Sequence, residues 1–196
     1  MLRPLFSMLL ALSLAGCASA ELELGSGSRS GSPAPSPELA RLAPMLGEWS
    51  GEGRLVSPSA EVLREAMPPG QEVMTTFTGG SSTAFALGGK FLRSSGWHEV
   101  GTDQVSKYVQ FITWDREHGK YRSWYFTDGG EIGEGWMTVD PDGRTFRTQS
   151  SGTRSDGSPM QGHGVATVVD DRTMQWSWSE NGPAGEIKLE GSSRRK

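Results

Sequence analysis

From Leu46 onward the chain reads as short stretches of alternating apolar and polar residues, punctuated by glycine-rich turns. The alternation is clearest where Met174, Trp176 and Trp178 interleave with Thr173, Gln175 and Ser177, the pattern of a half-buried strand. Strands are predicted over 46–55, 71–78, 81–87, 90–99, 107–114, 120–127, 131–139, 144–151, 160–169, 172–179 and 185–193. The pair 71–78 and 81–87 is read as a hairpin around Gly79-Gly80. Tight turns are expected at Asp115–Gly119, Asp128-Gly129-Gly130, Pro141-Asp142-Gly143, Asp170-Asp171 and Asn181-Gly182, with a longer polar loop over Thr153–Pro159. Residues 57–70, closed by Pro68-Pro69-Gly70, read as a loop with one or two helical turns. About ten short strands joined by tight turns predict an all-β, up-and-down antiparallel β-barrel, because closure removes the exposed edges of a long meander.

Before the strands the pattern changes three times. Residues 1–17 carry Arg3, an apolar run from Leu5 to Leu14, and then Leu14-Ala15-Gly16-Cys17. The run is too short to span a bilayer and suits an export signal. Residues 18–37 are rich in Gly, Ser and Pro, have little to bury, and read as a flexible tether. A short helix opens the domain at 38–196: Ser36 can cap it, Pro37 suits its first position, and Leu39, Leu42, Met45 and Leu46 share a face. Pro44 should end or kink it.

The 196 residues carry a formal net charge of −4, which argues against a nucleic-acid partner. The one basic cluster, Arg194-Arg195-Lys196, sits at the C-terminus. With a single Cys the chain forms no internal disulfide, so the fold must rest on packing.

Leu14-Ala15-Gly16-Cys17 resembles the lipobox of bacterial lipoproteins. The resemblance implies lipidation of Cys17 and membrane attachment through acyl chains alone. Ala18 after the cysteine resembles the sorting signal for the periplasmic face of the Gram-negative outer membrane. Gly47-Glu48-Trp49 resembles the Gly-x-Trp signature that opens lipocalin and fatty-acid-binding (calycin) barrels. There the Trp packs at the closed end, often beneath a basic residue of the last strand, a part open here to Arg194 or Arg195. Met45–Gly53, Leu87–Leu92, Tyr121–Phe126 and Gly133–Trp136 together resemble uncharacterised bacterial lipocalin-like lipoproteins. That likeness implies fold and not chemistry. A weaker likeness is to nitrobindin-like haem barrels, which hold haem through a late-strand His. His163 is the candidate here, a neutral imidazole that would have to face the cavity.

Arg122, Arg147 and Gln110 lie on middle strands, where an inward Arg could hold a ligand carboxylate bidentately and an outward one is only solubilising. Trp124, Tyr125 and Trp136 are candidates to line a pocket. Trp124 and Tyr125 must face opposite ways, so one of them covers the outside, a possible homodimer or partner contact. Glu52 and Glu134 each sit between glycines. Paired carboxylates suit acid–base work, whereas strand bends with Glu turned to solvent or to an Arg are the plainer reading. No Gly-x-Ser-x-Gly, nucleophilic triad or metal-binding spacing is present, and the sequence leans away from an enzyme. The expectation is an envelope lipoprotein binding a small, mostly apolar molecule inside its barrel, with no cofactor. The alternatives are a filled barrel that works through its outside, and haem binding through His163.

Overall fold

A computed structural model describes residues 34–55, 76–100, 104–182 and 185–196. The expected export signal, most of the expected tether and the expected 57–70 loop lie outside the described residues. Helix α1 spans Pro37–Ala40, and the Ser36 hydroxyl accepts a hydrogen bond from the Leu39 amide (3.3 Å). A 3₁₀ turn, Ala43–Met45, follows, with Pro44 in its first turn. Ten strands follow: β1 Gly47–Leu55, β2 Thr76–Ala86, β3 Phe91–Val100, β4 Gln104–Asp115, β5 Lys120–Thr127, β6 Ile132–Val139, β7 Thr145–Thr153, β8 Pro159–Val168, β9 Thr173–Gly182 and β10 Gly185–Arg195. Each pairs antiparallel with the next, and β10 pairs with β1, which closes the barrel. The fold is therefore the all-β, up-and-down barrel that the alternation implies.

One strand departs from the sequence reading. Gly79-Gly80 is not a turn but the middle of β2, paired to His98 and Trp97 of β3. Neither glycine has a positive φ. A Cβ on Gly79 would lie 2.7 Å from the Trp97 carbonyl oxygen, so the residue answers a close backbone approach. The true turn glycines sit elsewhere: Gly88, Gly119, Gly130, Gly143 and Gly157 all have φ between 62° and 87°.

One end of the barrel is sealed by the opening motif. Trp49 is fully buried and donates Nε1–H to the Met45 carbonyl (3.0 Å). The Arg195 guanidinium lies over the Trp49 ring, 4.6 Å from its centroid, and donates to the Pro44 carbonyl (2.6 Å). Arg195, not Arg194, is thus the basic residue over the tryptophan. Gly47 takes φ +108°, which swings the chain from the 3₁₀ turn into β1 and explains the glycine two residues before the ring. α1 lies across this end, held by a hydrogen bond from the Tyr121 hydroxyl to the Glu38 carbonyl (2.6 Å).

Above that seal the barrel is packed with its own rings, laid on bare backbone. A Cβ on Gly53 would meet the Phe77 and Trp176 rings at 2.2 and 2.6 Å. One on Gly133 would fall 2.0 Å from the Tyr125 ring, and ones on Gly162 and Gly164 at 2.2 and 2.5 Å from Trp178. Inward glycines and inward aromatics are therefore complementary: each ring occupies the space a side chain would take. Small hydroxyls fill the remainder, with Thr83 donating to Ser94 (3.0 Å) and Trp176 Nε1–H to Ser193 (3.1 Å).

Candidate functional site

Two assemblies of side chains carry chemistry. The first is on the outer face of β5–β9. Alternation turns Arg122 and Trp124 outward on β5, while cross-strand pairing sets Arg122 opposite Trp136 and Trp124 opposite Glu134 of β6. The Arg122 guanidinium lies 5.1 Å from the Trp124 ring centroid and 5.5 Å from that of Trp136. It also pairs with the Glu134 carboxylate at 3.0 Å. His118, from the β4–β5 turn, rests on the other part of Trp136 with ring centroids 4.8 Å apart. Packed against the ion-paired Arg122 and against His118, Trp136 is oriented while staying partly exposed.

This platform opens into a furrow of about 430 Å³ across β6–β9. Its floor is the backbone of Gly135, Ser150 and Gly162, and its walls include Gln149, Ser151, Gln161, His163, Ser179 and Asn181. The register aligns the walls in two rows, Glu134–Ser151–Gln161 and Trp136–Gln149–His163–Ser179. Amides and hydroxyls here present both donors and acceptors. A second outer hollow, of about 1080 Å³, runs over β8, β9, β10, β1 and β2 and is bordered by Glu52, Glu99 and Glu190.

The second assembly is inside, at the mouth opposite Trp49. Glu131 follows the Asp128-Gly129-Gly130 turn and is 2% exposed; Glu180, at the end of β9, is 4% exposed. Arg154, from the β7–β8 turn, donates to the Glu180 carboxylate (2.6 Å) and to the carbonyls of Asn181 and Pro159. The other Glu180 oxygen accepts from Trp178 Nε1–H at 3.4 Å. Tyr125 sits among them, its hydroxyl 3.1 Å from the Met160 sulfur. Burial, and then the neighbouring Glu180 charge, push Glu131 up to about 7, against the Thr127 hydroxyl and Arg154. Burial also raises Glu180 and the Tyr125 phenol, the latter further opposed to ionising by both carboxylates.

The sequence candidates divide between the two faces. Arg122, Trp124 and Trp136 come together, but on the outside. Arg147 is also outward, on the other side of the Trp136 row, and is taken up by a bidentate pair with Asp140 (2.9–3.1 Å). Neither arginine is the inward carboxylate clamp, since alternation sends both to solvent. Gln110 and Tyr125 are inward neighbours across β4 and β5. His163 is exposed on the outer face between the inward Gly162 and Gly164, so it offers no imidazole to the cavity. Glu52 and Glu134 are both exposed, and Glu134 is turned to an Arg, as the plainer reading had it. Cys17 lies outside the described residues. The sequence reading missed Glu131, Glu180 and Arg154. Alternation carried a signal for two of them: the Met174, Trp176, Trp178 series continues to Glu180, and Glu131 precedes the inward series Gly133, Gly135, Met137. Among the described residues no three acidic, His or Cys side chains gather as a metal site.

Fold and register define a closed, up-and-down antiparallel barrel of ten strands, opened by a Gly-x-Trp seal. Residues 34–190 match the family DUF1579, described as a protein of unknown function, and the chain belongs to that family. No curated protein matches it. Among solved structures, the crystal structure of Rv2717c from M. tuberculosis is similar at 18% identity, covering 83% of this chain and 99% of that one, with a TM-score of 0.55. The S-type phycobiliprotein lyase CPES from Guillardia theta is 9% identical, covering 81% of this chain and 90% of that one, with a TM-score of 0.49. The likeness to Rv2717c is one of fold.

Proposed function

We propose that the protein is a recognition module whose barrel is scaffold and whose outer furrow binds a polar, hydroxyl-rich chain of the oligosaccharide class. The observation that carries this reading is the packing of Phe77, Trp176, Tyr125 and Trp178 directly onto inward glycines. An apolar guest inside would have to displace rings that already bury one another. The interior also carries Ser81, Thr83, Ser94, Ser123 and Thr148, whereas a pocket for an apolar molecule is lined mainly by apolar side chains.

The outside offers what a sugar chain uses. Trp136, partly exposed between Arg122 and His118, gives an oriented aromatic side chain against which the C–H face of a ring can pack. Gln149, Gln161, Ser151 and Asn181 give paired donors and acceptors in two rows along the furrow. Four strands at about 4.8 Å spacing make the furrow roughly 14 Å long, enough for a short chain of ring units. Pre-set side chains lose little freedom on binding. In this reading the acyl chains on Cys17 and the 18–37 tether hold the module at the cell envelope, on the periplasmic face of the outer membrane.

The test pairs two ligands. Saturation-transfer NMR with chitotetraose and maltotetraose should give contacts to at least one, lost in Trp136→Ala and weakened in Gln149→Ala. A fluorescent fatty-acid analogue should show no saturable uptake. Micromolar uptake displaced by oleate, with no saccharide contact, returns the function to the barrel interior. Radiolabelled palmitate should enter the parent chain and not Cys17→Ser; incorporation in both overturns the anchor.

A further inference from the structure

Of the two carboxylates at the barrel mouth, Glu180 is tied to Arg154 and Trp178 and also borders the furrow, whereas Glu131 is used by neither. Glu131 is an unusual group to find 98% enclosed: its Oε1 has no hydrogen-bond partner, and Oε2 receives only the Thr127 hydroxyl at 3.4 Å. A buried carboxylate oxygen without a donor is costly, so the site lacks a donor that something else supplies. The alternation that turns Gly133 and Gly135 inward turns Glu131 into the mouth as well.

The neighbours say what kind of donor fits. Arg154 is committed: it pairs with Glu180 at 2.6 Å and bonds two backbone carbonyls. With Glu131 and Glu180 ionised and one guanidinium bound to Glu180, the charge of Glu131 is left uncompensated, and the nearby Asp128 adds to it. Among the described residues, an anionic guest would find Arg154 already committed to Glu180. A cation with N–H donors would satisfy Oε1 and cancel that charge in a low-dielectric setting. The walls are apolar and aromatic: the Tyr125 ring over Gly133, the Met160 thioether and the Trp178 indole. Aromatic faces and a thioether suit both the charge and the carbon chain of an organic cation.

We propose that the barrel mouth is a binding site for a protonated primary amine, with Glu131 as its counter-ion and Tyr125, Met160 and Trp178 as its walls. Glu131 itself does not line the outer furrow, although its neighbour Glu180 borders both. Other charged groups face Glu131 from the elements around it. Glu180 on β9 adds repulsion, Arg154 offsets it, and Asp128 in the preceding turn is occupied by the Lys107 amide at 3.0 Å and the Ser106 hydroxyl.

The probe is n-butylammonium chloride, titrated calorimetrically into the full chain. The amine stays charged from pH 6 to pH 8, so the pH dependence reports the protein. Because Glu131 must lose its proton, and holds it up to about pH 7, affinity should fall about tenfold from pH 8 to pH 6. Binding at pH 7 should release a fraction of a proton, seen as a dependence of the heat on the buffer's ionisation enthalpy. Glu131→Gln should abolish binding, while Glu117→Gln, in the exposed β4–β5 turn, should bind as the parent does. No binding by the parent at millimolar amine overturns the proposal; the orphan oxygen is then served by water. So does undiminished binding by folded Glu131→Gln, or binding with no pH dependence and no proton release in the parent, a readout that needs no variant.

Discussion

Gly53→Ala adds one methyl group to β1 at a point where two rings already sit. The new Cβ would lie 2.2 Å from Phe77 Cζ and 2.6 Å from Trp176 Cη2, against an ordinary contact of 3.4 Å or more. Phe77 must therefore retreat by about 1.2 Å and Trp176 by about 0.8 Å. Sliding along the wall gives Trp176 no relief, because its ring already covers Gly191, where a Cβ would fall at 2.3 Å. Retreat also pulls Nε1–H away from the Ser193 hydroxyl, now 3.1 Å distant. Overpacking of this kind costs about 1–3 kcal/mol. A weakened buried hydrogen bond adds about 1 kcal/mol. The expected loss is thus about 2–4 kcal/mol, or roughly 5–15 °C in Tm for a domain of this size. Urea unfolding followed by Trp fluorescence measures it. Gly129→Ala is the control: its nearest atom would be the Thr127 hydroxyl oxygen at 3.6 Å, and it should stay within about 0.5 kcal/mol of the parent. Trimming the obstructing ring, Gly53→Ala with Phe77→Leu, should show a favourable coupling of about 1 kcal/mol or more. If Gly53→Ala instead matches the parent, the rings have open space to move into. The interior is then not filled, and the case for a binding site on the outside loses its foundation.

Three further outcomes follow from the other features. Arg195→Ala loses both the stacking on Trp49 and the bond to the Pro44 carbonyl, and should cost about 1–3 kcal/mol in urea unfolding, with a changed near-UV signal from Trp49. Glu131 holds its proton in the folded barrel up to about pH 7 but loses it near pH 4.5 once unfolded, so the folded state binds more protons between those values. Stability should therefore fall as pH rises from about 4.5 through 7, by about 1–3 kcal/mol, and level off above; Glu131→Gln should flatten the slope, and an unchanged slope refutes the assignment. Arg122→Lys keeps the charge but not the planar stack between Trp124 and Trp136, so stability should change by less than about 1 kcal/mol while the order of the Trp136 ring, read by NMR, declines.

How much of this was legible in the sequence depends on what sets each feature. Turns with Gly at positive φ and strands with period-two alternation are local, and both could be read directly. The seal of Trp49 could be placed too, because Gly47 and the ring lie in one short phrase. Gly79-Gly80 misled for a physical reason: glycine serves a turn through its φ and a strand interior through its missing Cβ, and sequence does not say which. The direction of Arg122 depended on register, where a slip of one residue exchanges inside for outside. Once Trp176 and Trp178 are inward, alternation puts Glu180 inward too, and the same parity applied to Gly133 and Met137 points to Glu131. Arg154 had no such signal, since its place comes from a turn folding back over the mouth.

The hydrogen-bonded join between β1 and β10 has a topological consequence. Trp49 pairs with Arg195, partners separated by nearly the whole domain, whereas every other neighbouring pair of strands is consecutive in the chain. A ring of ten strands always contains one such long closure wherever the chain is cut. A circular permutant that joined the present ends and opened the exposed turn at 141–143 would move that closure to β6–β7 without abolishing it. The entropic toll of closing the ring is therefore a property of the circle, not of where the polypeptide begins. The barrel's longest-range contact is written into its connectivity rather than into any one pair of residues.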